Sequence, residues 1–290
     1  MTKIILYKIG RSAFRGLPKK LVWVGTILIL FLVGVTLLAP FLTTYSHTGT
    51  KPDGSFFKPF QPPNQEHLMG TNDIGQDVYT RVLYGGRIPL MVAIFSTFFA
   101  ILAGVPLGLI SGYVGGIPDR VMSLLMDSLF AFPGLILAIA ITAMLGPSIM
   151  NTAAAITVIY VPVFFRMVRS QVLSIKELMY IDAAKAIGER TWSIILRYIF
   201  PNVLPTISVV ITMCFADAIL IEAGLAFIGL STAVPPEPSW GFDLVVGKRT
   251  LLGGYWWIVT FPGLMIVLAA LGFSLLGEGL SELTNPKLAE

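Results

Sequence analysis

Residues 21–42 read LVWVGTILILFLVGVTLLAPFL and carry no charged side chain. An α-helix needs about twenty apolar residues to cross ~30 Å of hydrocarbon. No water is present there to satisfy loose peptide groups, so such a run crosses as a helix. Further long apolar runs lie near 88–112, 119–145, 149–170, 203–231 and 255–280, which makes six expected spans. Prolines interrupt four of them, at Pro106, Pro133, Pro162 and Pro262. A proline inside a span is tolerated where neighbours re-satisfy the freed carbonyl, often with a kink. Only 12% of the residues are charged and mean hydropathy is +0.81. Soluble chains carry about 25% charged residues, so the expected class is an all-α polytopic membrane protein.

The first run follows six basic residues, as a signal peptide would. It exceeds the usual 7–15-residue signal core and ends in Ala39-Pro40 without a cleavage pattern, so it reads as a retained anchor. Orientation follows the excess of Lys and Arg on the cytoplasmic side. With the N-terminus inside, 14 of the 20 basic residues fall on inner segments, so both termini are expected in the cytoplasm. The resulting division is a basic tail over 1–20, an anchor over 21–42 and an outer loop over 43–87. A five-helix core over 88–280 and a tail over 281–290 follow. A net charge of +4 on this layout reflects topology and lipid contact and does not call for nucleic acid.

The core contains one long polar inner loop, 171–202. Residues 174–188 are mostly good helix formers. Ala184 and Gly188 stand four apart, so a helix puts two small residues on one face, where another surface can approach closely. Gly188 is also a candidate helix terminator.

Asp182-Ala183-Ala184, Gly188 and Ile199-Phe200-Pro201 resemble the EAA loop of ABC importer permeases, with aspartate in place of the usual glutamate. Two more segments resemble C-type permeases of the dipeptide, oligopeptide and nickel importers. They are HLMGTNDIGQDVYTRVLYGGRIPL (67–90) and AILIEAGLAFIGLSTAVPPEPSWG (218–241). That family usually carries arginine where Gln76 stands. The resemblance implies a type I ABC importer permease fold in the cell membrane. It implies a homologous second permease, one or two cytoplasmic ATPases and an external substrate-binding protein. Asp182, Ala183, Ala184 and Gly188 would then form a coupling helix seated on the ATPase. Peptides are the expected cargo; nickel chelates or oligosaccharides are the alternatives within the family.

The chain has no GxxxxGK[ST] phosphate loop. No cofactor is therefore expected on it, and ATP and Mg would reside on the partner ATPases. A stand-alone secondary transporter would show inverted repeats with paired broken helices, and no such symmetry is visible. An intramembrane enzyme would need a catalytic cluster, and the spans contain no histidine.

Charges within spans normally face protein or water. Asp217 and Glu222 are therefore candidates for the transport path or its gate, with a structural hydrogen bond as the competing role. Five residues of separation put them about 140° apart on a helix, too far round to share a proton. Asp127 reads as a locally bonded residue. Gly104, Gly108 and Gly112 form a small-residue stripe for close helix contact, within the chain or against a partner. Trp240, Trp256 and Trp257 read as an outer aromatic belt. Cys214 reads as a small buried hydrophobe, and His47 and His67 show no metal-ligand spacing.

Overall fold

The computed structural model describes residues 17–230 and 237–284. Most of the expected basic tail (1–16), the last residues of the C-terminal tail (285–290) and positions 231–236 of the second outer loop lie outside them. The regular structure among the described residues is helical, with one isolated bridge between Thr71 and Asp77. In chain order the helices are α1 (Leu17–Leu42), α2 (Val78–Tyr84), α3 (Arg87–Val114), α4 (Gly116–Phe130) and α5 (Gly134–Leu145). They continue with α6 (Ile149–Ile175), α7 (Met179–Ala186), α8 (Thr191–Phe227), α9 (Trp240–Thr250) and α10 (Trp257–Thr284).

Five helices, α1, α3, α6, α8 and α10, are each long and apolar enough to cross a membrane. The third expected span, 119–145, is not one helix. It is the pair α4 and α5, bent by 85°. At 1.5 Å per residue their 15 and 12 residues reach ~22 and ~18 Å, so neither alone crosses the hydrocarbon. Pro133 supplies the reason. Its ring disfavours helical backbone at Phe132, and its own ψ of 122° is extended. Pro106, Pro162 and Pro262 stay inside continuous helices.

The inner loop is also shorter than the expected 171–202. Helix α6 persists to Ile175, and α8 begins at Thr191 with a π-wound stretch, Ile194–Ile199, before its regular part. Pro201 and Pro205 therefore lie inside the helix.

The small-residue stripe packs within the chain. A Cβ on Gly104 would sit 2.7 Å from the Val161 carbonyl oxygen, and one on Gly108 would sit 2.8 Å from that of Phe165. On Gly112 it would sit 2.8 Å from Val172 Cβ. Helices α3 and α6 thus meet backbone to backbone along three turns, which dispersion rewards and any side chain prevents. The anchor α1 docks on α10 by the same device, since a Cβ on Gly25 would lie 2.6 Å from the Leu276 nitrogen. Around this frame Val92, Phe164, Ile207, Ile219 and Ile266 form one continuous core.

Gly108→Val should destabilise the assembled protein by about 1–3 kcal/mol or more through overpacking. Gly34→Val, where a Cβ meets nothing within 4 Å, should leave it unchanged. Thermal unfolding in detergent separates the two. Equal melting temperatures would contradict the α3–α6 contact.

Candidate coupling helix and path residues

Between α6 and α8 the chain makes a compact knob. Lys176 Nζ donates to the Gly112 carbonyl at 3.1 Å, fixing the end of α6 against α3. Helix α7 follows, with Ile181 and Ala184 turned inward and buried. They belong to the same core as Ile194, Ile195 and Ile199 of the π-wound stretch. Met179, Asp182, Ala183, Lys185, Ala186 and Ile187 face outward. Met179 is 90% exposed and Ile187 78%. Lys185 donates to Asp182 at 3.0 Å, and that hydrogen bond raises the Lys185 pKa.

Ala184 and Gly188 do not share a docking face. Helix α7 ends at Ala186, and Gly188 adopts φ of +81°, which glycine enters without steric cost. Its N–H donates to Lys185 O and that of Glu189 to Ala184 O, closing the last turn. Gly188 therefore terminates the helix, Ala184 seats it on α8, and Asp182 and Ala183 remain on the exposed side.

Asp217 and Glu222 diverge around α8, as their spacing requires. Asp217 accepts a hydrogen bond from the Tyr160 hydroxyl of α6 at 3.1 Å. It borders an open groove of ≈640 Å³ between α8 and α10, where Ser274, Glu278 and Glu282 also stand. Glu222 is fully buried and accepts from Ser239 Oγ at 3.3 Å, beneath the outer loop. Asp127 finds its partner on α6: Arg166 Nε stands 3.9 Å away.

The outer ends of the spans are tied by a buried polar cap that pattern reading missed. His67 Nδ1 lies 2.9 Å from Asp77 Oδ1, with both side chains shielded from solvent. Asp77 Oδ2 also accepts from the Thr80 N–H and caps α2. Arg81 Nε and Nη2 donate to Asp243 Oδ1 at 2.9 and 2.5 Å, linking α2 to α9. Gln76 is buried and accepts from Asn72 Nδ2 within a tight turn. Trp240 and Trp257 are not belt residues. Both are buried, and their indole N–H groups donate to Val82 O and Thr71 O at 2.8 and 3.1 Å. Trp256 stays half-exposed. The one local signal was Asp77 three residues before Thr80; the Arg81–Asp243 pair is 162 residues apart in the chain.

Removing one partner of a buried ion pair strands the other, at about 3–5 kcal/mol. Arg81→Met should therefore loosen α9, read as faster amide exchange across 240–250. Arg81→Met/Asp243→Leu should recover much of the protection. Unchanged exchange in the single variant would contradict a structural role for the pair.

Comparison with known proteins adds three findings. A family model described as the binding-protein-dependent transport system inner membrane component matches residues 104–290. A dipeptide transport system permease protein, DppC, of Alkalihalophilus pseudofirmus is 42% identical over 279 residues, 96% of this chain and 90% of that protein. A glutathione transport system permease protein, GsiD, of Pectobacterium atrosepticum is 38% identical over 226 residues, covering 78% of this chain and 74% of that one. Among solved structures, a chain of the MetNI methionine ABC transporter in an inward-facing conformation is similar, with a TM-score of 0.56 and 20% identity. The match covers 70% of this chain and 96% of that one, and shows a shared fold.

Proposed function

Since the chain belongs to the family of binding-protein-dependent transport system inner membrane components, we propose that it is a peptide-importing permease subunit of an ABC transporter. The observation that carries the reading is near-full-length similarity to a dipeptide permease. The glutathione-permease relative keeps the cargo within small peptides. The chain is a multi-pass protein of the cell membrane. It pairs with a second, homologous permease to enclose the path, receives cargo from an external binding protein, and takes energy from one or two cytoplasmic ATPases. ATP and Mg bind on those ATPases.

The knob at α7 is where the energy enters. Its exposed side, with Asp182 and Ala183 flanked by Met179 and Ile187, rests on the ATPase. Its inner side, at Ile181 and Ala184, grips the base of α8. Gly188 holds the helix to that length. Asp217 faces the path, since an exposed carboxylate at span depth costs roughly 2.5–3.5 kcal/mol unless water or protein covers it. Glu222, engaged under the outer loop, braces the gate region and does not contact cargo.

Two experiments test this. In proteoliposomes holding the full assembly and its binding protein, ATP should drive dipeptide uptake; import of only a nickel chelate or an oligosaccharide would overturn the peptide reading. Ala183→Arg places a long cation on the exposed side of α7. It should leave insertion and pairing intact while receptor-stimulated ATP hydrolysis falls about tenfold, the equivalent of ~1.4 kcal/mol. Full stimulation in that variant would remove α7 from the coupling surface.

A further inference from the structure

A second recess, of ≈600 Å³, lies between α4 and α6. Ser123, Asp127 and Phe130 of α4 form one wall, and Arg166 and Ser170 of α6 form the other. Arg169 also borders it, but both arms of that guanidinium are taken by Asp119, at 2.5 and 2.7 Å. Arg166 and Asp127 are differently placed. Their nearest charged atoms are 3.9 Å apart, too far for a hydrogen bond, and their side chains are 51% and 61% exposed. The guanidinium rests over the Phe130 ring at 4.6 Å, which holds its plane and leaves its N–H edges open. The Ser123 hydroxyl oxygen is buried and has no partner.

Two further facts bear on what fills the recess. Arg166 lies nine residues before the end of α6, about 14 Å inward along the helix from the cytoplasmic end. The break between α4 and α5 begins directly after Phe130. Non-helical backbone at membrane depth persists where it lines a water-filled space or is covered by protein. The recess therefore sets beside that break one cation and one anion that pair only loosely, with no hydrogen bond between them.

We propose that this recess is a transit site for the zwitterionic main chain of a small peptide. The terminal carboxylate docks on the Arg166 fork, and the terminal ammonium docks on Asp127. The proposal rests on the peptide reading and specifies which chemistry the path recognises. A simple anion would meet Asp127, and a simple cation would meet Arg166; a neutral molecule bearing both charges satisfies both walls. The volume lies within the ordinary 300–1,000 Å³ range of small-molecule pockets. Recognition of the two termini, with no demand on side chains, suits a path that passes many sequences.

The test uses the full assembly with Ser170→Cys in a Cys214→Ser background, and reads maleimide labelling of residue 170 by mass. With ~1 mM affinity, ~10 mM dialanine should slow labelling about tenfold. N-acetyl-dialanine and dialanine amide, each lacking one charge, should give no protection. Asp127→Asn and Arg166→Gln should each abolish protection by dialanine. Unchanged labelling in an assembly that still imports dialanine would overturn the site and leave the peptide function standing. Equal protection by the capped peptides would overturn it too, as would protection that follows phosphatidylglycerol content of the vesicles instead of dialanine. An assembly that imports some other solute and no dialanine would overturn the function, and this site with it.

Discussion

Hydrocarbon offers no partner to a peptide group, so every crossing here must close its own hydrogen bonds. That constraint sorts the whole chain. The continuous helices α1, α3, α6, α8 and α10 occupy the apolar zone. Polar and irregular structure is displaced to an outer cap built on His67–Asp77 and Arg81–Asp243, and to an inner knob built on α7. The break at 131–133 departs from the pattern, and it occurs beside a recess holding Asp127 and Arg166. A departure from helical closure and a loosely paired, half-exposed ion pair thus coincide in space.

Within the apolar zone burial gives little drive, because lipid tails are as apolar as leucine. Helix association then depends on how closely backbones approach. Gly104, Gly108 and Gly112 let α3 reach the carbonyls of Val161 and Phe165, and Gly25 lets the anchor reach α10. These contacts make α3 with α6 and α1 with α10 into stiff pairs. Helix α4 is held at its start by Asp119 on Arg169, and further along it meets α6 through Arg166, which lies over Phe130 and beside Asp127.

Five of the six expected crossings, and their order, were legible because run length is a local property that the bilayer reads directly. The stripe at Gly104 was legible for the same reason, although only the structure shows that its partner is α6 of the same chain. The bend at Pro133 was not, since Pro106, Pro162 and Pro262 look alike in sequence and remain in continuous helices. Ala184 and Gly188 were misassigned to one face because periodicity assumes that the helix continues, and it stops at Ala186. Trp240 and Trp257 were read as belt residues because a tryptophan near an interface carries no mark of whether its indole N–H meets water or a carbonyl. Long-range pairs such as Arg81 with Asp243 leave no trace in any window of the sequence.

The two sides of α7 explain why the knob can serve as a lever on the proposed function. A force applied at Met179 or Ile187 reaches a helix of eight residues that is too short to be stable alone. It holds its shape through Ile181 and Ala184, which pack with Ile194, Ile195 and Ile199. Those residues form the π-wound start of α8, where the ladder is already altered and Pro201 and Pro205 donate no hydrogen bonds. Displacement of α7 therefore meets a rigid contact first and a compliant turn next, and then the long regular helix that carries Asp217 toward the groove shared with α10. On the proposed function, translation at the knob would pass to α8 as a tilt. Because α8 also reaches Ser239 through Glu222, such a tilt would reach the outer cap as well as the inner end.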